Sequence, residues 1–566
     1  MLLIALYGIL LSVSFWGWGN LFSRFPGKSD LSDHVSAAAY FFTGLSFVGV
    51  ICSLLWCFIP VNISTGIFLI FFGTGYFFLN STKSPGWVIL NPWFLVFLIS
   101  FSISLLVKAA ASSSYYDSGL YYIQTIKWIG EYAPVPGLAN LHIRFGNASA
   151  WHILIAAFDP HSQTGFHFDD LGELMFLWFV AFHGWNAIHI KGFERYFSLG
   201  LLIISAFFSL PMLSSPSPDL ACGILGMQTL WQFRQFLLVW DSKQANQLNR
   251  KGLAIFIQSI FLVQIKLSSF PFVLVAILLF FLALRERRMK ISLLFAFFGL
   301  MSGLALFYRS YILTGYLFFP AIKGPFQPDW RVSDASVSDY MNGVRGFARH
   351  ILSQAELSGG LNYNQIGQWT FFDWFPVWAA ERPALEWAIL IPAVLGWILL
   401  VRFSASFVRV SFKDHWQLAF FTWLSGMMLL FWFSNAPDIR FGMAVLGIGF
   451  SFCFASASKL IRAYFINWDS KLYIEFALTL ISFFILVFYR DLRPWKHNLI
   501  SPPPFPECAV SKVQSGAGFV YYFPVPKPEN PHTDQCWDAP LPCAPKLTEG
   551  LRFRGPRLQD GFRIEK

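Results

Sequence analysis

The sequence predicts an all-α integral membrane protein of about 12–14 transmembrane helices, with surface helices in large outer loops and a Pro-rich extracytoplasmic C-terminal tail. Three observations carry this. Apolar residues make up 55% of the 566 residues and charged residues only 13%, against roughly 25% charge in a soluble globular chain. Runs of about 20 residues with almost no charge, long enough to cross a bilayer, recur along the chain. The basic residues also concentrate in alternate short loops, as they do in a polytopic protein. This composition excludes a soluble enzyme, a disordered hub and a nucleic-acid-binding protein, and the net charge of +10 therefore implies no nucleic-acid partner.

Fourteen segments are apolar enough to span: 1–18, 35–59, 61–80, 87–107, 171–188, 196–213, 219–240, 253–267, 270–284, 291–311, 385–401, 416–433, 440–457 and 472–489. The first, MLLIALYGILLSVSFWGWG, lacks a basic n-region and an A-x-A cleavage site, so it reads as a retained helix. One set of short loops carries Arg24, Lys28, Lys83, Lys191, Arg195, Lys243, Arg250, Lys251, Arg285, Arg287, Arg288, Lys290, Arg402, Arg409, Lys413, Lys459, Arg462 and Lys471. The alternate set holds only Lys266 and Arg440. The positive-inside rule makes the first set cytoplasmic. Both termini, the loops 108–170 and 312–384 and the tail 490–566 then lie outside. The chain divides into N-terminal transmembrane helices at 1–86, a larger transmembrane module at 87–489 and the tail at 490–566.

The tail is different material. It opens SPPPFPEC and continues through FPVPKPENP, and so many prolines forbid regular helix and favour an extended lid on the outer face. Its carboxylates Asp534, Asp538 and Asp560 are expected to lack a rigid frame. Cys52, Cys57, Cys222 and Cys453 lie in apolar helices and read as small hydrophobes. Cys508, Cys536 and Cys543 lie on the oxidising side, where CWDAPLPC suggests a Cys536–Cys543 disulfide. No CxxC, HExxH or P-loop pattern occurs, so zinc-protease and ATP-driven readings have no support. Asn62, Asn80 and Asn147 begin N-x-S/T triplets of the kind that arise by chance.

Loop 108–170 is the most informative region. Leu120, Ile123, Ile126 and Ile129 recur at helical spacing, which predicts a helix over 119–132 lying along the membrane surface. Pro134 and Pro136 end it. Asp117 precedes this helix and could be only its N-cap. The functional reading is a carboxylate at the bilayer surface beside Lys127, His142 and Arg144, a base with cations suited to a phosphate leaving group. Shorter turns repeat the theme. SSPSPD places Asp219 at one helix lip, and SNAPDIRFG places Asp438 and Arg440 at another, either as a self-satisfied ion pair or as an oriented phosphate ligand. Lys266 in QIKLSSFP is a further cation or only a turn lysine. RSYILTGYLFFP, beginning at Arg309, re-enters apolar sequence after Gly315 as a cavity-lining loop would. His350, Asp373 and Glu381 are too dispersed to assign. Basic runs such as RERRMK fit topology and anionic lipid.

At these residues the chain resembles the GT-C superfamily of lipid-phosphosugar-dependent glycosyltransferases, and more closely a group of bacterial membrane proteins related to it. The resemblance rests on YYDSGLYYIQTIKWIGEYAPVPGLANLHIRFG, SPSPD, KLSSFP, TGYLFFP, APDIRF, CWDAPLPCAP and LQDGFRI, and covers the chain from about residue 87. It implies a catalytic carboxylate in the first large outer loop, matched by Asp117, with Lys127, Arg144 and Arg440 resembling the phosphate-binding basic residues by location. Two features depart from the pattern: the loop follows the fourth segment, and Ser118 stands where a second carboxylate would follow Asp117.

The function so implied is transfer of a sugar from a polyprenyl-phosphate donor to an extracytoplasmic glycan, lipid or protein acceptor in a bacterial cytoplasmic (inner) membrane. Asp117 would be catalytic, and Lys127, His142, Arg144, Asp219, Lys266, Arg309, Asp438 and Arg440 substrate-binding. No cofactor is called for; a divalent metal is compatible with the chemistry, but no ligand motif supports one. The competing readings are a lipid-linked oligosaccharide flippase, which would place charges near the midplane and often show a repeat, and a non-enzymatic assembly factor for envelope polysaccharide.

Overall fold

Apolar runs become helices because, in lipid, every backbone N–H and C=O must find its partner within the segment. The computed structural model describes residues 1–25, 37–80, 92–111, 113, 115–238, 240, 248–410, 412–465, 500, 504–506, 508–514, 520–525, 534–546 and 548–565. The helical body begins with α1 (Leu2–Ser23), α2 (Ala37–Trp56), α3 (Ile63–Asn80) and α4 (Pro92–Ala109). A connecting region of short pieces follows: α5 (Ile123–Glu131), α6 (Leu138–Leu141), α7 (Ala150–Phe158) and α8 (His161–Thr164). The helices then resume as α9 (Leu171–His189), α10 (Phe193–Ser209), α11 (Pro218–Leu238), α12 (Leu253–Ile265), α13 (Val273–Arg285) and α14 (Met289–Thr314). Polar helices α15 (Asp334–Arg349), α16 (Gln354–Ser358), α17 (Tyr363–Ile366) and α18 (Phe371–Glu381) lead into α19 (Ala384–Val410), α20 (Phe412–Asn435) and α21 (Met443–Phe465).

Thirteen of the fourteen expected segments coincide with helices; the fourteenth, 472–489, lies outside the described residues. Among the described residues, nine helices are long and apolar enough to cross a membrane. The others fall short for visible reasons. Helix α12 continues the helical turn Leu248–Gly252, and that run opens on the polar Asn249, Arg250 and Lys251. Helices α9 and α11 bury Glu173, His183, Asp219, Gln228 and Arg234. This is a multi-pass helical membrane protein.

Small residues set the closest helix approaches. A Cβ on Gly17 would sit 1.9 Å from the Gly73 carbonyl oxygen, and one on Gly396 would sit 1.8 Å from that of Gly449. Glycine therefore lets α1 meet α3, and α19 meet α21, backbone to backbone. Substituting either would separate the pair.

Two sequence expectations are revised at this level. The segment 119–132 is helical, but it does not lie open on a surface. Leu120, Ile123, Ile126 and Ile129 are buried, and so are Gln124, Thr125 and Trp128 on its other side. It is clasped between α7 and the tail, whose Trp537 N–H donates to Gly119 O at 3.0 Å and whose Trp537 and Ala539 carbonyls both accept from Gln124 Nε2. The stretch after Gly315 turns into packing of its own. Gly315 ends α14 with φ of 76°, and Tyr316 and Phe319 then pack with Ala139, Val332 and Val337 as a small core of their own.

The described tail contains no α-helix, in keeping with its prolines, and only one short 3₁₀ turn, Leu558–Asp560. It forms two antiparallel hairpins, β1 (Val510–Gln514) with β2 (Val520–Pro524) and β3 (Leu551–Phe553) with β4 (Phe562–Ile564). The expected Cys536–Cys543 disulfide is present, its Cα atoms 6.0 Å apart, and Cys508 keeps its thiol. Helix α5 stops at the PVPG turn, and Phe562 N–H there donates to Pro136 O at 2.9 Å, fixing the second hairpin on this segment.

Candidate active site at one end of the helical body

Asp117 sits in the first turn of a helical stretch that underwinds at Ser118–Tyr122 into a π-turn, a geometry that often marks functional sites. The capping reading fails here. Asp117 is helical itself and its side chain makes no cap hydrogen bond. Its Oδ1 accepts instead from Arg144 Nη1 at 3.0 Å. Arg144 arrives on the short turn Ile143–Asn147 and lays its guanidinium over the Tyr121 ring at 5.2 Å. Burial disfavours the charge on Arg144, but Asp117 and the tyrosines Tyr121, Tyr340 and Tyr122 together outweigh it and raise the guanidinium's pKa. His142 behaves differently from the expected cation. Burial, then the Arg144 charge, push its pKa down to about 3, so it is neutral near pH 7.

A chain of contacts runs from this pair to the other expected residues. Tyr115 stacks on Tyr122 with ring centroids 6.2 Å apart, and its hydroxyl accepts from Arg440 Nη1 at 2.6 Å. Asp438 caps the turn Ile439–Gly442, accepting from Arg440 N–H at 3.0 Å and pairing with Arg440 Nε at 2.9 Å. The self-satisfied pair and the oriented ligand are therefore one arrangement. Phe441 has cations on its faces, Lys266 Nζ at 3.9 Å from the ring centre and the Arg440 guanidinium at 4.8 Å. Lys266 closes the chain by pairing with Asp219, a buried carboxylate in the first turn of α11, where the helix dipole favours it. Lys266 is more than a turn lysine.

Asp219, Arg440 and Phe441 line a cleft with Ser268, Ser269 and Trp432, its deeper wall formed by Phe272, Met428 and Met443. Counted with its open mouth the cleft holds about 450 Å³. Phe347 of α15 covers the Arg440 side at 5.5 Å.

The remaining expected residues sit apart from this cleft. Lys127 faces the tail, with Nζ 3.1 Å from Asp538 Oδ1, and His161 Nε2 meets Asp538 Oδ2 at 2.9 Å. Tyr116 donates to Asp534, and Asp560 is held by Arg557 at 3.1 Å. These tail carboxylates are framed after all: Tyr116 and Lys127 of the 116–127 segment, with His161, hold Asp534 and Asp538, while Asp560 finds its partner within the tail. Arg309 is fully buried in α14, donating to Gln264 Oε1 at 3.1 Å. His350 and Glu381, far apart in sequence, pair with each other, and Glu356 joins them at 3.0 Å from His350. Asp373 caps Thr370.

Sequence reasoning missed Tyr115, Tyr122, Phe441 and Trp432. In a chain that is 19% aromatic, nothing singles these four out. Among the described residues, no three His, Cys, Asp or Glu side chains are placed to share a metal ion; Asp117, Asp219 and Asp438 are each paired with a cation instead.

Fold and site together define a polytopic helical membrane protein with acidic residues, each paired to a cation, gathered at one end. The chain belongs to the family described as a domain of unknown function, DUF8201, whose model matches residues 1–447 and so takes in every residue lining the cleft. No curated protein and no solved structure matches it.

Proposed function

We propose that the protein is a membrane glycosyltransferase that moves a sugar from a polyprenyl-phosphate donor to a glycan, lipid or protein acceptor outside a bacterial cytoplasmic membrane. The observation that supports this reading best is the convergence of Asp117, Arg144, Asp219, Lys266, Asp438 and Arg440. They come from five separate stretches of chain and meet through Tyr115, Tyr122 and Phe441. Such an arrangement offers a carboxylate for an acceptor hydroxyl and cations for a phosphate, a few side chains apart. The bias of basic residues toward the other loops makes this the extracytoplasmic face, with both termini on the same side.

In the proposed reaction the acceptor O–H gives its proton to Asp117 as its oxygen bonds the sugar's anomeric carbon. The bond from that carbon to the phosphate oxygen breaks, and polyprenyl phosphate leaves with the electron pair. Arg440 and Lys266 stabilise the charge that develops there. Both cations already have carboxylate partners, so the phosphate shares them rather than filling a vacancy.

One observation favours a flippase instead. Polar pairs lie buried within the helices, His183 with Gln228 at 3.0 Å, Thr229 with Gln258 at 3.0 Å and Arg309 with Gln264 at 3.1 Å, as in a transport path. The test is the fate of labelled donors, a panel of polyprenyl-phosphate hexoses supplied to the purified protein in proteoliposomes with an envelope extract as acceptor. Release of free polyprenyl phosphate supports the transferase. Transbilayer movement of intact donor, with no release, replaces it by the flippase.

A further inference from the structure

Helix α18 reads FFDWFPVWAAE and has two unlike faces. Its inner face is docked: Trp374 and Trp378 are buried, with ring centres 5.5 and 5.9 Å from Phe433 near the end of α20. Trp378 Nε1 also donates to Pro437 O at 3.0 Å, and its ring meets Trp387 of α19 at 6.0 Å. Its outer face presents Phe372, 84% exposed, while Phe371, 47% exposed, stands at the border of the two faces and still meets Phe433 at 6.4 Å. Thr370 and Asp373 cap the start with a polar box, and Arg382 pairs with Glu386 just past the end at 3.3 Å.

What covers Phe372 follows from what lies beside it. Only Arg382 and Pro383 separate α18 from α19, one of the nine helices with transmembrane length and apolarity. Along α19, Leu385, Ile391, Leu395 and Ile398 are exposed, as are Met427 and Leu430 of α20. That apolar surface is suited to face lipid, and α18 is docked at its end through Trp374 and Trp378 against Phe433 and Trp387. An eleven-residue amphipathic helix with tryptophans and flanking polar caps beside such a surface has the build of an interfacial helix.

We propose that α18 is a lipid-surface helix, with Phe371 and Phe372 inserted among the headgroups and first methylenes of the leaflet that meets the ends of α19 and α20. The partner is the bilayer surface itself, not a second copy or another protein. The helix thereby anchors the polar region 334–381 to the membrane, and with it Phe347 over Arg440. This inference rests on the fold alone and stands whether or not the chain transfers sugars.

The test places the photo-crosslinker p-benzoylphenylalanine at 372, at Ile398 as a lipid reference and at Glu565 as a water reference. The full-length protein is reconstituted in phosphatidylethanolamine–phosphatidylglycerol vesicles. Lipid adducts at 372 should come within about three-fold of those at 398 and exceed those at 565 at least ten-fold. Yields matching 565, or adducts to protein, would overturn the proposal. A Phe372→Cys variant supplies a second reading free of the bulky probe. Its reaction with a membrane-impermeant maleimide should be at least ten-fold slower than that of Glu565→Cys, and equal rates would contradict the inserted position.

Discussion

Asp117 has exchanged a helix cap for a partner, and this sharpens what its substitution should do. Because the side chain caps nothing, Asp117→Asn removes only the charge facing Arg144 and keeps an acceptor for it. The stability loss should be about 1 kcal/mol, the scale of a partly exposed pair. Transfer should fall about 10²–10⁴-fold if the carboxylate is the base, while binding of a non-transferable donor analogue, measured by calorimetry, stays unchanged. Arg440 predicts the opposite split. Arg440→Gln leaves Asp438 and the Tyr115 hydroxyl without its guanidinium and should weaken analogue binding about ten-fold, or about 1.4 kcal/mol. Arg440→Lys, which keeps the charge, should recover part of that loss. Equal affinity in all three proteins would remove Arg440 from the phosphate site.

At the scale of elements, the tail is a strap across the 116–140 segment, and its hold should depend on pH. The Asp538 hydrogen bond raises the pKa of His161 above its ordinary value against the effect of burial. His161 and Lys127 together lower that of Asp538, again against burial. Asp159, His167 and Glu131 also face this pair, and burial lifts Asp159 to about 6. A raised histidine contributes fully below its ordinary pKa of about 6.5 and loses that contribution as pH rises through the folded value. The lowered carboxylate contributes above about 3.9 and fails only as pH falls through its folded value. The strap should therefore be firmest between about pH 4 and 6.5 and loosen above that, as pH rises through the raised histidine value, seen as faster intrinsic-rate-corrected hydrogen exchange at the Trp537 amide. His161→Gln should flatten the change; an unaltered profile in that variant would show the pair is idle. Replacing Cys536 and Cys543 by Ser should cost the strap about 2–3 kcal/mol through the loosened loop. The wild-type protein resolved by mass spectrometry with both thiols free would remove that prediction.

How much of this was legible beforehand also varies by element. Long helices such as α2, α14 and α19 follow from uniform apolarity, because a spanning segment has one way to satisfy its backbone. The Cys536–Cys543 loop followed from spacing and compartment. The burial of 119–132 did not, because its polar side is covered by Gln124 bonding to Trp537 and Ala539, over 400 residues away. Local periodicity carries no such contact. The same holds for Asp538, whose frame is the distant pair Lys127 and His161.

For the whole molecule, the gathering of the site at one end fits the one-sided distribution of basic loop residues. Reporter fusions at residue 288 and residue 530 should give opposite signals, cytoplasmic and extracytoplasmic; matching signals would detach the site from the outer face. The central claim is that this face carries out transfer with Asp117 as its base. The measurement that bears on it most directly is donor turnover by wild-type and Asp117→Asn proteins side by side in proteoliposomes, with donor occupancy recorded in the same samples. The account predicts equal occupancy, with release of polyprenyl phosphate at least about a hundred-fold slower in the variant. Release at the wild-type rate by an equally occupied Asp117→Asn protein would contradict it.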